Sequence, residues 1–263
     1  MKNIRILLII SALITAFYSC TKTITPPLNN VSQLVIEGAV SDTTGPYHIH
    51  ISKTANFYSD NVYPTVSGAN VVITDLTANT TDVLTEAAAG DYITHSIVGT
   101  YGHTYQMKVA LNGKTYVSVS TMPQLVKLDS VGVDYDVNNN TRPIAEYQDP
   151  ADQKNYYKYS MKKNGVHIIH FQTFEDRLSN GRYIRENLDC DTGTFHRGDL
   201  VRVDLVGLDA GAFNFLKESE NVAYNNANLA SPATPTSNIS GGCIGYFSAQ
   251  TVSSKTTIIK LGR

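Results

Sequence analysis

The sequence predicts an all-β protein, and two observations lead to this fold class. Tyrosine outnumbers phenylalanine, with 16 residues against 8, and threonine, valine and serine are frequent. These residue types favour strands more than helices. Short segments in which apolar and polar residues alternate are also separated by turn residues at regular intervals, which is typical of antiparallel β-sandwiches.

Residues 33–123 are predicted to form an Ig-like or prealbumin-like β-sandwich. Its strands are expected at Leu34–Val40, Tyr47–Ile51, Asn70–Asp75, Asp82–Thr85, Tyr105–Leu111 and Lys114–Ser120. The last two strands flank Asn112-Gly113. This dipeptide is a strong hairpin signal because both turn residues need a positive φ.

Residues 124–263 are predicted to form a second antiparallel β domain with one short helix. Asp209 is expected to cap this helix across Ala210–Ser219. Residues 138–141 are predicted to form a turn, and residues 176–187 and 225–238 are predicted to form long loops. The expected strands are Val131–Val137, Tyr156–Lys162, Val166–Thr173, Asp199–Gly207, Gly245–Thr251 and Thr256–Leu261.

The N-terminus has the pattern of a secretory signal peptide. Lys2 and Arg5 precede an apolar run from Ile6 to Phe17, and such a charged start followed by a short apolar segment directs export. The run is shorter than the about 20 apolar residues that a membrane-spanning helix needs. We therefore predict that residues 1–19 are a signal peptide.

Ser19-Cys20 resembles the end of a bacterial lipobox, although Phe17 and Tyr18 depart from its usual residues. The expected product is a protein lipidated on Cys20, with residues 20–32 as a tether stiffened by two prolines. An ordinary signal peptide with an incidental cysteine is the alternative, as is an anchor that is left uncut.

The net charge and the absence of known motifs argue against two classes of function, nucleic-acid binding and catalysis. The formal net charge is −2 and no lysine or arginine run occurs, so we expect no nucleic-acid partner. The chain lacks the G-x-S-x-G, H-E-x-x-H and P-loop motifs. We therefore expect a non-enzymatic protein with no catalytic residues and no cofactor.

Four residues are candidates for binding. His48 and His50 alternate along one predicted strand, so both side chains point to one face and would bind Zn²⁺ or Cu²⁺ if a third ligand existed. A half-exposed polar face is the interpretation we favour, so no metal is expected. Tyr58 and Tyr63 lie in a polar loop and suit contact with a glycan, a peptide or a protein; the alternative places them at the edge of the core.

Two cysteines follow Cys20, namely Cys190 and Cys243. An isolated pair in an exported protein is often a disulfide, so we predict that these two are bonded. Two separate buried thiols are the alternative.

Several blocks together resemble a known family. They are LVIEG at 34–38, GPYHIHISKT at 45–54, residues 64–71, and residues 232–249 with the close GYFSA. With the N-terminus, they resemble the Bacteroidetes outer-membrane lipoproteins defined by domain of unknown function 4249. The resemblance implies a lipid-anchored accessory subunit of a TonB-dependent outer-membrane receptor, involved in nutrient capture or uptake. A free-standing surface adhesin or glycan-binding module is the alternative, and which face of the outer membrane carries the protein stays open.

Overall fold

One large sheet connects the beginning of the described chain to its end. The computed structural model describes residues 32–55, 63–135, 141–190, 195–224 and 234–260. From Ser32 onward the chain forms one compact unit. Strands hold 52% of the described residues and helix 7%, which confirms the predicted all-β fold class.

The first half of the described chain forms a series of short strands. They are β1 (Leu34–Ser41), β2 (His48–Lys53), β3 (Asn70–Asp75), β4 (Thr80–Val83), β5 (Thr85–Ala88), β6 (Asp91–Ile93), β7 (Thr104–Leu111) and β8 (Lys114–Thr121). Asn112 and Gly113 join β7 to β8 with φ values of 48° and 76°. The predicted hairpin is therefore confirmed.

The second half contains further strands and a helix. They are β9 (Ser130–Tyr135), β10 (Thr141–Gln148), β11 (Tyr156–Lys163), β12 (Val166–His167), β13 (Gln172–Glu175), β14 (Tyr183–Asn187), β15 (Leu200–Leu208), α1 (Ala210–Tyr224) and β16 (Ile244–Ile258). The Asp209 Oδ1 accepts a hydrogen bond of 2.8 Å from the Ala212 N–H. Asp209 thus caps α1 as predicted, but the helix continues past Ser219 and is described as far as Tyr224.

The large sheet has the strand order β12-β11-β15-β16-β1-β2-β6-β5, with β13 also beside β11. Its centre is the last strand of the chain. The first part of β16 pairs in parallel with β1, and its second part pairs antiparallel with β15. Because β16 returns to β1, one continuous sheet crosses the predicted boundary between residues 123 and 124. The two predicted segments are not separate sheets.

Two smaller sheets cover one face of the large sheet, which we call the inner face. The four-stranded sheet β4-β3-β7-β8 packs on β1 and β2, and the three-stranded sheet β14-β10-β9 packs on β11 and β15. Each contact has its own hydrophobic core. The first core includes Ile36, Ile49, Ile73, Met107 and Phe247. The second core includes Tyr147, Tyr157, Tyr159, Val203 and Leu205.

Helix α1 covers part of the opposite, outer face. The Phe213 ring lies 4.8 Å from the Tyr156 ring, and the Phe215 ring lies 5.3 Å from the Tyr246 ring, measured between centroids. These side chains belong to a third apolar cluster, which Val206 and Leu208 of β15 complete. Beside the helix, Glu37 of β1 and His48 and His50 of β2 are exposed on the outer face.

Further local predictions were wrong. The predicted strand Val166–Thr173 is interrupted, because only Val166–His167 (β12) and Gln172–Glu175 (β13) form strands there. Residues 141–148 begin at a predicted turn and form β10, and the predicted loop 176–187 contains β14. These two strands pair with each other, so each is stabilised by a partner that the local sequence does not reveal. The two predicted terminal strands are one strand, because β15 pairs with β16 through the polar residues between them.

Candidate functional site

The outer face of the large sheet carries two groups of polar side chains. The first, which we call the histidine cluster, consists of His48 and His50 on β2 and Asp91 on β6. The second lines a groove between α1 and the sheet. Both groups lie on the face that the two smaller sheets leave uncovered.

The histidine cluster confirms that His48 and His50 share one face of their strand. Ile49 and Ile51 are buried in the first core, whereas His48 and His50, which alternate with them along β2, are exposed. Their rings stack with a centroid distance of 5.7 Å and an interplanar angle of 15°. The alternation of β2 therefore produces the parallel pair.

Asp91 completes this cluster from the neighbouring strand. His50 lies opposite Asp91 in the β2–β6 register. The Nδ1 of His48 is 3.0 Å and 3.1 Å from the two Asp91 carboxylate oxygens, and the Nδ1 of His50 is 3.1 Å from Oδ1. The sequence interpretation lacked this third group, because the pairing of β2 with β6 is not a local feature.

Gly90 fixes the position of Asp91. It adopts φ +75°, and a Cβ atom there would lie 2.5 Å from the Ile51 carbonyl oxygen. The Ile51 N–H donates a hydrogen bond of 2.8 Å to the Gly90 carbonyl. The Gly90 N–H in turn donates to Glu86 at 2.9 Å. This close backbone approach, which only glycine permits, sets β6 against β2.

Glu37 extends the polar row across the sheet. It lies opposite His50 on one side and Tyr246 on the other, so Asp91, His50, Glu37 and Tyr246 form one row over four strands. Glu37 is exposed. Within the described ranges its carboxylate has no hydrogen bond or ion pair. The row links the histidine cluster to the edge of the groove.

The groove has a volume of about 360 Å³. Its apolar wall includes Ile168, Phe171 and Phe215. Its polar lining includes Lys158 and Ser160 of β11, and also Glu37 of β1. The alternation of β11 places the neighbouring Tyr157 and Tyr159 in the second core, on the inner face. Lys158 and Ser160 therefore point to the helix side of the sheet.

Three polar groups of this groove have no hydrogen-bond partner in the part of the chain that the structure describes. They are the Lys158 ammonium, the Ser160 hydroxyl and the Tyr246 hydroxyl. Desolvation lowers the pKa of Lys158, and the Asp204 charge opposes this only in part. Burial, together with the Glu37 charge, raises the pKa of Tyr246 to about 12.

Asp204 is not a free counterion for Lys158. It accepts a hydrogen bond of 2.7 Å from the Arg202 Nε and one of 2.5 Å from the Ser254 hydroxyl. The Lys158 ammonium is therefore desolvated without a close anionic partner among the described side chains. An ammonium in this state favours an incoming anion.

The tyrosine prediction falls partly outside the described residues. Tyr63 is 59% exposed, so it is a surface residue and not a core-edge residue. Tyr58 lies outside the described residues, as do the predicted signal peptide, Cys20 and the tether up to residue 31.

The predicted disulfide between Cys190 and Cys243 is not formed. Cys243 is buried in the first core, whereas Cys190 packs against the second. The Cys190 Sγ lies 3.8 Å from the Thr141 carbonyl oxygen. Burial raises the pKa of the Cys243 thiol to about 11. The prediction was wrong because the two sequence neighbourhoods belong to different cores.

Comparison with known proteins places the chain in a family without assigning an activity. None of the described helices has the length and apolar character needed to cross a membrane. A comparison with curated proteins found no match. Residues 21–256 match the model of the family described as Domain of unknown function (DUF4249). Since this match spans most of the sequence, the chain belongs to that family.

Proposed function

We propose that this protein is a Bacteroidetes lipoprotein, anchored to the outer membrane through Cys20, that captures a small ligand. In this proposal it is a non-enzymatic accessory subunit of a TonB-dependent transporter. The observation that carries the capture step is the groove, in which Lys158, Ser160 and Tyr246 have no hydrogen-bond partner among the described residues.

The chemistry of the groove favours an anion with an apolar part. Lys158, Ser160 and Tyr246 all offer hydrogen-bond donors, which suit a carboxylate or a similar oxyanion. Glu37 also lines the groove, and its charge opposes an anion close to it, so the Lys158 ammonium has to outweigh this repulsion. Phe171 and Phe215 offer an apolar wall. A volume of about 360 Å³ falls in the range of small-molecule sites. The ligand class is therefore a small apolar carboxylate.

The anchor and the transporter partner rest on the sequence. The apolar run before Ser19-Cys20 supports export and lipidation. The resemblance of the sequence blocks from LVIEG to GYFSA to lipoproteins associated with TonB-dependent receptors supports the partner. An anchored capture protein beside a receptor would raise the ligand concentration at the receptor entrance.

Ligand capture is tested with benzoate as the probe and benzamide as its neutral analogue. We expect the full-length chain to bind benzoate about tenfold or more tightly than benzamide in calorimetry, because an ion-paired hydrogen bond adds roughly 1.5–3 kcal/mol. Lys158→Met should remove this preference. The matched control, Lys108→Met on the exposed side of β7, should retain it.

The partner is tested by co-purification. A C-terminally tagged chain, extracted from outer membranes in mild detergent, should retain a TonB-dependent β-barrel receptor, and Cys20→Ala should appear in the soluble fraction. A clean preparation without any receptor contradicts the partnership. Equal benzoate binding by the parent and Lys158→Met contradicts the capture site.

Exposure of Tyr63 favours a second candidate function, a surface adhesin or glycan-binding module. An exposed tyrosine provides an apolar ring and a hydroxyl that suit a sugar face. A glycan array probed with the parent and with the Tyr58→Ala/Tyr63→Ala double variant separates the two proposals. Glycan binding that the double variant loses favours the adhesin.

A further inference from the structure

We propose that His48, His50 and Asp91 form a binding site for a divalent transition-metal ion of the zinc and copper class. The proposal rests on the histidine cluster alone. It does not require the ligand groove, the lipid anchor or the transporter partner.

The three donor atoms are close enough to share one ion. The Nδ1 atoms of His48 and His50 lie 3.0 Å and 3.1 Å from Asp91 Oδ1, and the ligand atoms of all three residues lie within 4.8 Å of one another. Zinc bonds of about 2.0–2.2 Å place tetrahedral ligand atoms roughly 3.3 Å apart. Small side-chain adjustments therefore suffice to admit the ion.

The donor set selects the class of metal. Imidazole nitrogen suits zinc, copper and nickel, and one carboxylate is a common companion ligand. Calcium and magnesium prefer sites made of oxygen ligands. Two imidazoles and one carboxylate therefore favour a borderline transition metal over an alkaline-earth ion.

The sheet holds the donors in place before any ion binds. His50 and Asp91 lie opposite each other in the β2–β6 register. Ile49 of β2 and Tyr92 of β6 are 0% and 1% exposed, so their packing in the first core holds both strands in place. Ligands on paired strands lose less freedom on metal binding than ligands on separate loops.

The cluster leaves room for further ligands on its solvent side. The side chains of His48 and His50 are 47% and 59% exposed, and that of Asp91 is 24% exposed. A bound ion would keep open positions for water or for an outside ligand. Glu37 lies opposite His50 in the β1–β2 register, so its carboxylate would add favourable charge or bind through a water molecule.

A second histidine–aspartate pair, His103 and Asp75, lacks the second histidine that the histidine cluster has. The Nδ1 of His103 lies 2.7 Å from Asp75 Oδ2. The other oxygen of this carboxylate accepts the N–H groups of Thr77 and Ala78. This pair has one histidine and a carboxylate committed to the backbone, so it serves as the matched control.

The test is zinc titration of the full-length chain, purified in detergent without a histidine tag. We expect one high-affinity zinc site per chain and no response to calcium in isothermal titration calorimetry. His50→Gln and Asp91→Asn should each weaken zinc binding by at least about tenfold, because even the loss of an outer partner of a metal ligand has this effect. His103→Gln should bind zinc like the parent.

The variants separate a metal site from a structural hydrogen-bond cluster. Asp91→Asn preserves the shape of the side chain, and thermal unfolding without metal verifies that each variant is folded. Zinc should raise the unfolding temperature of the parent and of His103→Gln but not that of Asp91→Asn. Absence of zinc binding by the parent overturns the proposal, and so does equal binding by all variants.

Discussion

His48 and Asp91 are 43 positions apart in the sequence, yet the His48 Nδ1 lies 3.0 Å and 3.1 Å from the two Asp91 carboxylate oxygens. The contact exists because β6 pairs with β2 along the outer face of the large sheet. Anything that moves β6 away from β2 will therefore separate the aspartate from both histidines.

Gly90→Ala tests this dependence on strand placement. The new Cβ would lie 2.5 Å from the Ile51 carbonyl oxygen, at a residue with φ +75°. We expect a loss of about 3 kcal/mol or more in the free energy of unfolding, since a steric clash adds to the unfavourable φ. Urea denaturation measures the loss, and zinc titration of the folded fraction should show weakened binding.

The matched control for this substitution is Gly113→Ala. Gly113 has φ +76° with no atom within 4 Å of the added Cβ, so only the backbone conformation is unfavourable. The expected loss is roughly 1–2 kcal/mol, with zinc binding unchanged. If the two variants lose equal stability, close strand approach at Gly90 is not the cause.

Acid sensitivity of the fold should involve Asp82. Burial raises the pKa of this carboxyl, but hydrogen bonds from the N–H groups of Ser96, Ile97 and His95 outweigh burial and lower it overall. The three N–H groups lie 2.7–3.0 Å from Oδ2. A lowered pKa means that the stabilisation is present above the unfolded-state pKa and is lost as the pH falls through the folded-state pKa.

Asp82→Asn should accordingly lower the free energy of unfolding by roughly 2–3 kcal/mol at pH 7. The difference from the parent should shrink as the pH falls below about 3.9, where the unfolded carboxylate becomes protonated. Urea denaturation across this pH range measures both effects. Asp152→Asn at an exposed position is the control, and an equal loss there would contradict the assignment to Asp82.

Local signals in the sequence predicted the parts of the fold that form locally. Asn112-Gly113 predicted its hairpin because the turn residues alone require positive φ, and Asp209 predicted the start of α1 because the cap contacts its own first turn. β10 was not predicted, since its first residue lies in the expected turn at 138–141 and Pro143 lacks the N–H that strand pairing uses. It forms nonetheless, because β9 and β14 pair with it on both sides.

The candidate sites were also predicted only where local sequence determines the structure. Alternation in β2 correctly placed His48 and His50 on one face, but Asp91 became their partner only through the pairing of β6. Lys158 lies in a strand that the sequence predicted correctly. Its desolvation was not predictable, because it depends on the packing of α1 over β11. A single sequence indicates which face a side chain occupies, but not what covers that face.

Alkylation of the cysteines tests whether Cys190 and Cys243 lie in separate cores without a disulfide between them. Cys243 is buried with a raised pKa of about 11, so little thiolate exists at pH 8 and native-state alkylation should be slow. In denaturant without reductant, Cys190 and Cys243 should both become alkylated, and reductant should leave the unfolding temperature unchanged. A cross-linked Cys190–Cys243 peptide in mass spectrometry would contradict the structure.

Lys158 should limit stability while supporting ligand capture. Desolvation lowers its pKa, so the folded state disfavours the charged form at neutral pH. This destabilisation is full below the folded-state pKa and fades as the pH rises toward the unfolded-state pKa of about 10.4. Functional groups that lack partners in the free protein often lower its stability in this way.

Lys158→Met is therefore expected to raise the free energy of unfolding by about 1 kcal/mol at pH 7, because replacement of a buried charge by an apolar side chain is often stabilising. The gain should shrink toward pH 10, and benzoate binding should be lost at both pH values. Urea denaturation measures stability, with Lys108→Met expected to change it by less than about 0.5 kcal/mol. A clear loss of stability in Lys158→Met would indicate that the ammonium already has a strong partner within the protein, and the groove would then not favour an anion.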